Sequence, residues 1–212
     1  RGTVSGSSQI ASNISGSFSG KFDYRWSIRA SKGAFTVGGA LISDRCNAGG
    51  FGNKNAAMVA GGRGSAATAA PNNWPGGYYN APMGAIKNAE LYNGISWSET
   101  TAMIYARDKL MGAGTSTDGI LAGGGTAPNS VAACTETWDG SAWTEKSDMN
   151  YCTKNSGAAG ESSNSAIVFG GEYSSPASHY VSCAESWDGS SWSEIDKLNY
   201  GRTGIAGFGN SG

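Results

Sequence analysis

Glu136-Thr137-Trp138-Asp139-Gly140-Ser141-Ala142-Trp143 returns as Glu185-Ser186-Trp187-Asp188-Gly189-Ser190-Ser191-Trp192, and more loosely as Glu90-Leu91-Tyr92-Asn93-Gly94-Ile95-Ser96-Trp97. In each copy an acid stands seven residues before the second aromatic, with an Asn-Gly or Asp-Gly pair between them. Such a pair flanked by alternating apolar residues signals a tight β-hairpin. A type I′ turn is expected, because Asn, Asp and Gly tolerate the positive φ it requires at both central positions. A hairpin repeated along a chain must bury one face against its neighbours, so the stretch predicts a repeat fold.

Fixed distances extend the repeat on both sides. Eight residues after each second Trp comes a tyrosine (Tyr105, Tyr151, Tyr200), and nine residues after each tyrosine a glycine (Gly114, Gly160, Gly209). An earlier segment, Asp44 to Gly52, aligns without a gap, so that Arg45, Arg107 and Arg202 coincide while the third copy has Thr153. Each small-residue run is followed by an apolar strand ending in paired glycines: Ala57 to Gly62, Ile120 to Gly124 and Ile167 to Gly171. One unit therefore reads as a Gly-rich strand, an apolar strand and the two hairpin strands, with a period of 46 and then 49 residues. Four short antiparallel strands in that length are the unit of a β-propeller blade. The expected fold class is all-β, with small residues on the crowded innermost strands and two aromatics per hairpin filling the gap between blades.

Composition narrows the function. Charged residues make up only 15% of the 212, and the net charge is −1. There is no electrostatic footprint for nucleic acid and no polybasic patch for a membrane surface, and no apolar run approaches the ~18 residues that cross a bilayer. The 34 glycines follow no three-residue period, which excludes collagen. Residues 1–20 are mostly Ser, Gly, Thr, Ala and Asn, too polar for a core, and read as an arm or linker ahead of a domain spanning 21–212. The four cysteines form no CxxC pair and His179 is the single histidine, so no zinc site of known spacing is present. Buried small hydrophobes are one expectation for the cysteines. Disulfides in an oxidising setting are the other, with Cys152–Cys183 the first pairing to expect.

The order of Gly-Gly, aromatic, Trp about five residues later and a basic residue before the next Gly-rich strand resembles the kelch repeat over roughly 43–209. The resemblance implies a propeller. Trp138 and Trp187 stand where that family usually has Tyr. The last copy ends after its Gly-rich strand, Tyr200 to Gly209, while Phe35-Thr36-Val37-Gly38-Gly39 is a spare apolar strand. The expected architecture is three blades from 43–196 and a composite one from about 18–40 plus 200–210, about four in all, which would cover an otherwise unpaired edge. The Ser/Gly-rich segment Gly2 to Phe18, and degenerate repeats of this Glu-x-Trp-Asp/Asn-Gly-x-x-Trp kind, are similar to virion structural proteins of marine tailed phages.

Enzyme chemistry finds little footing. Kelch-type propellers include a copper radical oxidase, but its metal needs two His and two Tyr ligands, so the metal reading fails here and no cofactor is expected. No nucleophile elbow, P-loop or dinucleotide fingerprint is present. Glu90, Glu136 and Glu185 recur once per repeat, which points to a structural role together with the aromatics Trp97, Trp138, Trp143, Trp187 and Trp192. The recurring arginines are expected to pair with backbone or with these acids between blades. Function should sit where the repeats differ. The connection after Gly-Gly is short in the second repeat, holds Tyr173, His179 and Tyr180 in the third, and holds Asn72, Asn73, Trp74, Tyr78 and Tyr79 in the first. Aromatic rings among Asn, Ser and Gly suit stacking on sugars or packing on a protein partner, or else form Ω-loops that cover their own blade. The expected function is non-enzymatic: an adhesive or structural virion protein, a fibre or decoration, binding glycan or protein. An extracellular filament subunit polymerising through its N-terminal arm, paired with copies of itself, and a polysaccharide-active enzyme are the alternatives.

Overall fold

The computed structural model describes residues 39–65, 83–126, 130–174 and 178–209. Among them the chain forms strands and turns and no helix. The arm expected at 1–20, all but the last two residues of the 18–40 segment, and the loop holding Asn72, Asn73, Trp74, Tyr78 and Tyr79 lie outside the described residues.

Three antiparallel four-stranded sheets follow one another. The first comprises β1 (Gly49–Asn53), β2 (Ala56–Ala60), β5 (Ala89–Tyr92) and β6 (Trp97–Thr100), with a small pair, β3 (Arg63–Ser65) and β4 (Met83–Ala85), inserted between β2 and β5. The second comprises β7 (Met111–Thr115), β8 (Asp118–Ala122), β9 (Thr135–Trp138) and β10 (Trp143–Lys146). The third comprises β11 (Gly157–Ser162), β12 (Ser165–Phe169), β15 (Ala184–Trp187) and β16 (Trp192–Ile195), with the inserted pair β13 (Glu172–Ser174) and β14 (Ser178–Tyr180). Spatial order equals chain order in each sheet, as the unit read from the sequence requires.

The hairpins carry their aromatics face to face. Tyr92 opposes Trp97, Trp138 opposes Trp143 and Trp187 opposes Trp192, with ring centroids 5.1, 5.2 and 5.3 Å apart. The turns differ from the expected I′ form. The Asp139 amide donates to the Ala142 carbonyl at 3.3 Å, so the central pair is Gly140–Ser141, and of these only the glycine has positive φ, at 96°. Glycine at the first central position is the pattern of a II′ turn. The Asp acts from outside the central pair: Asp139 Oδ1 accepts the Ser141 and Ala142 amides at 2.8 Å, and Asp188 does the same for Ser190 and Ser191. Those donors, the Ser191 amide first, pull the Asp188 carboxyl from an ordinary 3.8 to about 2.

Each Gly-Gly pair joins one repeat to the next. The Gly123 amide donates to the Cys134 carbonyl at 3.0 Å, within its own sheet, and the Gly124 amide to the Thr153 carbonyl of the following repeat at 2.9 Å. The other two pairs repeat this, with Gly62 bonded to Arg107 and Gly171 to Arg202. Gly123 and Gly124 have φ of 60° and 99°, and a Cβ on Gly124 would stand 2.6 Å from the Asp108 carbonyl oxygen. Only glycine meets both conditions. A second ladder runs through one left-handed residue per repeat, with φ of 56° at Asn47, 55° at Lys109 and Asn155, and 65° at Gly204. Lys109 donates to Asn47, Asn155 to Lys109 and Gly204 to Asn155, all through the backbone at 2.7–3.0 Å. Asn accommodates this conformation readily; Lys109 is held there by the two flanking bonds.

The apolar core lies between sheets. Trp138 and Trp143 of the second sheet meet Phe51, Met58 and Ala60 of the first, with Phe51 and Trp143 in an edge-to-face contact at 6.3 Å. Trp187 and Trp192 of the third meet Met111, Ile120 and Ala122 of the second. The indole N–H groups end on fixed acceptors: Trp138 on Ser116, Trp143 on Thr101, Trp187 on Ser163 and Trp192 on the Thr135 hydroxyl, at 2.8–3.0 Å. Strands β1, β7 and β11 lie side by side. Small residues permit this, since a Cβ on Gly112 would stand 2.7 Å from the Gly50 carbonyl oxygen. A cavity of about 310 Å³ is lined by four equivalent tripeptides: Gly50-Phe51-Gly52, Gly112-Ala113-Gly114, Ala158-Ala159-Gly160 and Gly207-Phe208-Gly209. The last of these is bound to β11 by the Gly160 amide, which donates to Gly209 at 3.0 Å.

Two outcomes are predicted. Trp143→Ala, emptying a site only 8% exposed, should lower the unfolding free energy in denaturant titration by about 3–5 kcal/mol; a negligible change would remove Trp143 from the core. The Asp188 carboxyl has a lower pKa folded than unfolded. Its contribution is therefore complete above 3.8 and is lost as pH falls through about 2. Melting temperature measured across that window should fall more steeply for the wild type than for Asp188→Asn.

Candidate functional site

The most prominent acids are sealed inside the repeats. Glu90 and Glu136 are 0% exposed and Glu185 is 3% exposed. Each sits on the third strand of its sheet and binds the segment that leads into the first strand of the same repeat. Glu136 accepts the Ile104 amide and an Arg107 Nη2–H, both at 2.7 Å, and Arg107 Nη1 also donates to the Gly123 and Cys134 carbonyls. Glu90 takes the Ile42 and Ser43 amides and forms an ion pair with Arg45, whose Nη1 reaches Gly61 and Asn88. In the third repeat, where Thr153 replaces the arginine, Asn150 contributes. Its backbone N–H and its Nδ2 both donate to Glu185 at 2.8 Å, and the Tyr151 amide donates at 3.0 Å. Each arginine–acid pair thus joins two parts of one repeat, with backbone bonds added, and does not bridge repeats. Buried carboxylates with every approach occupied have no face to offer a substrate.

Opposite each buried acid stands a second one that went unrecognised in the sequence: Glu99, Glu145 and Glu194 pair across the hairpin with Glu90, Glu136 and Glu185. Like charges in directly opposed positions are unfavourable unless each finds a partner. The repeat tyrosine supplies one, as Tyr105 Oη donates to Glu145 at 3.0 Å and Tyr151 Oη to Glu194 at 2.8 Å. These hydrogen bonds raise both phenol pKa values. The signal was available as a Glu nine residues after each first Glu.

What distinguishes the third repeat is a groove of about 460 Å³. It is lined by Asn150, Tyr151, Cys152, Thr153, Tyr173, His179, Val181 and Cys183. Tyr173 and His179 oppose each other across β13 and β14, so their side chains share the face turned to the groove. Tyr180, opposite Glu172, is 63% exposed and does not line the groove. Glu172 instead lies 3.8 Å from both Lys109 and Lys154 and accepts Asn155 Nδ2 at 3.1 Å, which ties the base of the inserted hairpin to two lead-in segments. The structure therefore brings together two of the three aromatic and imidazole residues expected from the sequence, adds Tyr151, and separates Tyr180. Where an Ω-loop was one expectation, both long connections begin and end as paired strands.

All four cysteines are free thiols, so the expected Cys152–Cys183 bridge is not formed, although both thiols reach the same groove. Nor are they buried hydrophobes: Cys46 is exposed and the other three are partly so. Burial pushes the Cys134 thiol up. Among the described residues no group of three or more His, Cys, Asp or Glu side chains is placed to hold a metal ion. No protein-family model and no curated protein matches the chain.

The two kinds of buried acid site predict different costs. Glu136→Gln leaves the Arg107 cation, whose side chain is 0% exposed, without its counter-charge and should cost about 3–5 kcal/mol in denaturant titration. Glu185→Gln faces only neutral donors and should cost about 1–3 kcal/mol. Equal costs would show that the ion pair adds nothing to the hydrogen bonds.

Proposed function

We propose that this chain is a kelch-like β-propeller of four repeats that serves as a non-enzymatic structural and adhesive module of an extracellular assembly, in the first instance a virion fibre or decoration. The observation that carries the reading is the cavity lined by four equivalent tripeptides, three from the described sheets and one from Gly207–Gly209. Three sheets and a fourth inner segment, successively joined through Gly-Gly and left-handed residues, suit a ring whose last blade takes its remaining strands from elsewhere in the chain, with residues 18–40 the proposed source. Saturation of Glu90, Glu136 and Glu185 by backbone and arginine favours a scaffold over a hydrolase. The virion assignment draws on the similarity of the Ser/Gly-rich start and of the repeats to virion proteins.

One observation favours a second reading, the filament subunit. Tyr200 and Phe208 of the fourth segment are 75% and 95% exposed, whereas Phe51, equivalent to Phe208, is buried against Trp143. Apolar surface left at the last inner segment suits pairing with another copy.

A density map of the isolated chain separates them. Four similar lobes around a central hole in a monomer support the in-chain ring. Three lobes, with a fourth completed only by a neighbouring molecule, support the filament and overturn the first reading. Binding of the folded chain to cell-surface polysaccharide, with the sugar left at its original length, tests adhesion, and shortening of the sugar would refute a non-enzymatic role.

A further inference from the structure

We propose that the groove beside β13 and β14 is a binding subsite for the apolar face of a neutral sugar ring, with Tyr173 and His179 as the residues that determine specificity. This deepens, and rests on, the adhesive reading above. The first support is the state of the polar groups. The phenol groups of Tyr105 and Tyr151 and the indole N–H groups of Trp138, Trp143, Trp187 and Trp192 are all spent on protein acceptors. The Tyr173 hydroxyl and the His179 ring have no partner among the described residues, and both side chains are exposed at the groove. They are donors and acceptors that the paired strands present at the groove.

The second support is the shape and charge of the groove. Its volume falls within the ~300–1,000 Å³ usual for small-molecule clefts. Tyr151, Val181, Cys152 and Cys183 give it an apolar lining, and no Lys or Arg lines it. Acids close by are Glu194, on the Tyr151 hydroxyl, Glu185, bonded to Asn150, and Glu172 beside Tyr173, which is offset by Lys109 and Lys154 at 3.8 Å. An anionic ligand would find no Lys or Arg among the lining residues. A peptide would draw its affinity chiefly from main-chain bonds along a strand edge, and such binding is the competing outcome of the test below. A neutral sugar offers what remains: an apolar C–H face for the tyrosine rings and hydroxyls for Tyr173 and His179.

The test is saturation-transfer NMR on the full chain with methyl glycosides of glucose, galactose and mannose, and with glucuronate as the anionic control. At least one neutral glycoside should receive saturation on its ring-face protons and glucuronate none. Tyr173→Ala and His179→Ala should each weaken binding about fivefold to tenfold with unchanged melting temperature, while Tyr180→Ala, outside the groove, should leave it unaltered. The subsite is overturned if the folded chain binds none of the neutral glycosides, if glucuronate binds better, if both groove variants bind as the wild type does, or if a tyrosine-containing peptide and no neutral glycoside binds at the groove. Cleavage of a neutral oligosaccharide at this groove would leave the subsite standing and overturn the non-enzymatic reading.

Discussion

One buried carboxylate per repeat holds the chain to its course. Glu90, Glu136 and Glu185 lie on the third strand of each sheet, and each grips the backbone leading into the first strand of the same sheet. A β-sheet alone does not fix where its lead-in segment runs. A carboxylate buried without full compensation is strongly unfavourable, so the segment must arrive where its N–H groups can be accepted. With the lead-in fixed, the arginine or its substitute, the tyrosine on the opposing glutamate, and the carbonyl that receives the preceding repeat's Gly-Gly amide all fall into place. The tryptophan pairs then meet the previous sheet, and the core forms between sheets.

Much of this was legible because it recurs. The four-strand unit, the hairpin aromatics and the Gly-Gly endings each leave a residue type at a constant distance, and the three sheets reproduce that order. The parts that escaped were those that depend on partners. The turns were expected to centre on Asp-Gly, yet the Asp side chain captures two amides and moves the turn one residue along. Glu145 and Glu194 drew no notice because a surface strand rich in Ser, Thr and Glu looks like a solvated face, and their role appears only once Tyr105 and Tyr151 are seen above them. The left-handed Lys109 had no sequence signal at all, since lysine does not favour that conformation and is held there by its neighbours' bonds. The arginines were expected to reach between repeats. Arg45 and Arg107 stay within one because the guanidinium fork spans the Gly-Gly carbonyl, the start of the third strand and the acid at once.

The candidate site was legible in part and for a different reason. A repeat announces its scaffold by constancy and its variable sites by interruption. The interruption at 172–182 was visible, but not that Tyr173 and His179 would stand opposite each other while Tyr180 points away. Strand pairing within the insertion decides that, since successive residues alternate faces. Nor was it foreseeable that a scaffold tyrosine, Tyr151, and two thiols would supply the rest of the lining. The groove is thus part insertion and part scaffold.

The claim that the buried carboxylate organises each repeat is tested most directly by a double-mutant cycle on Arg107 and Glu136 in chemical denaturation, using Arg107→Met, Glu136→Leu and the two together. The account predicts that each single variant loses several kcal/mol, because each strands a buried partner, and that the double variant recovers part of the loss, with a coupling of about 1–3 kcal/mol. Additive losses, agreeing within about 0.5 kcal/mol, would contradict it.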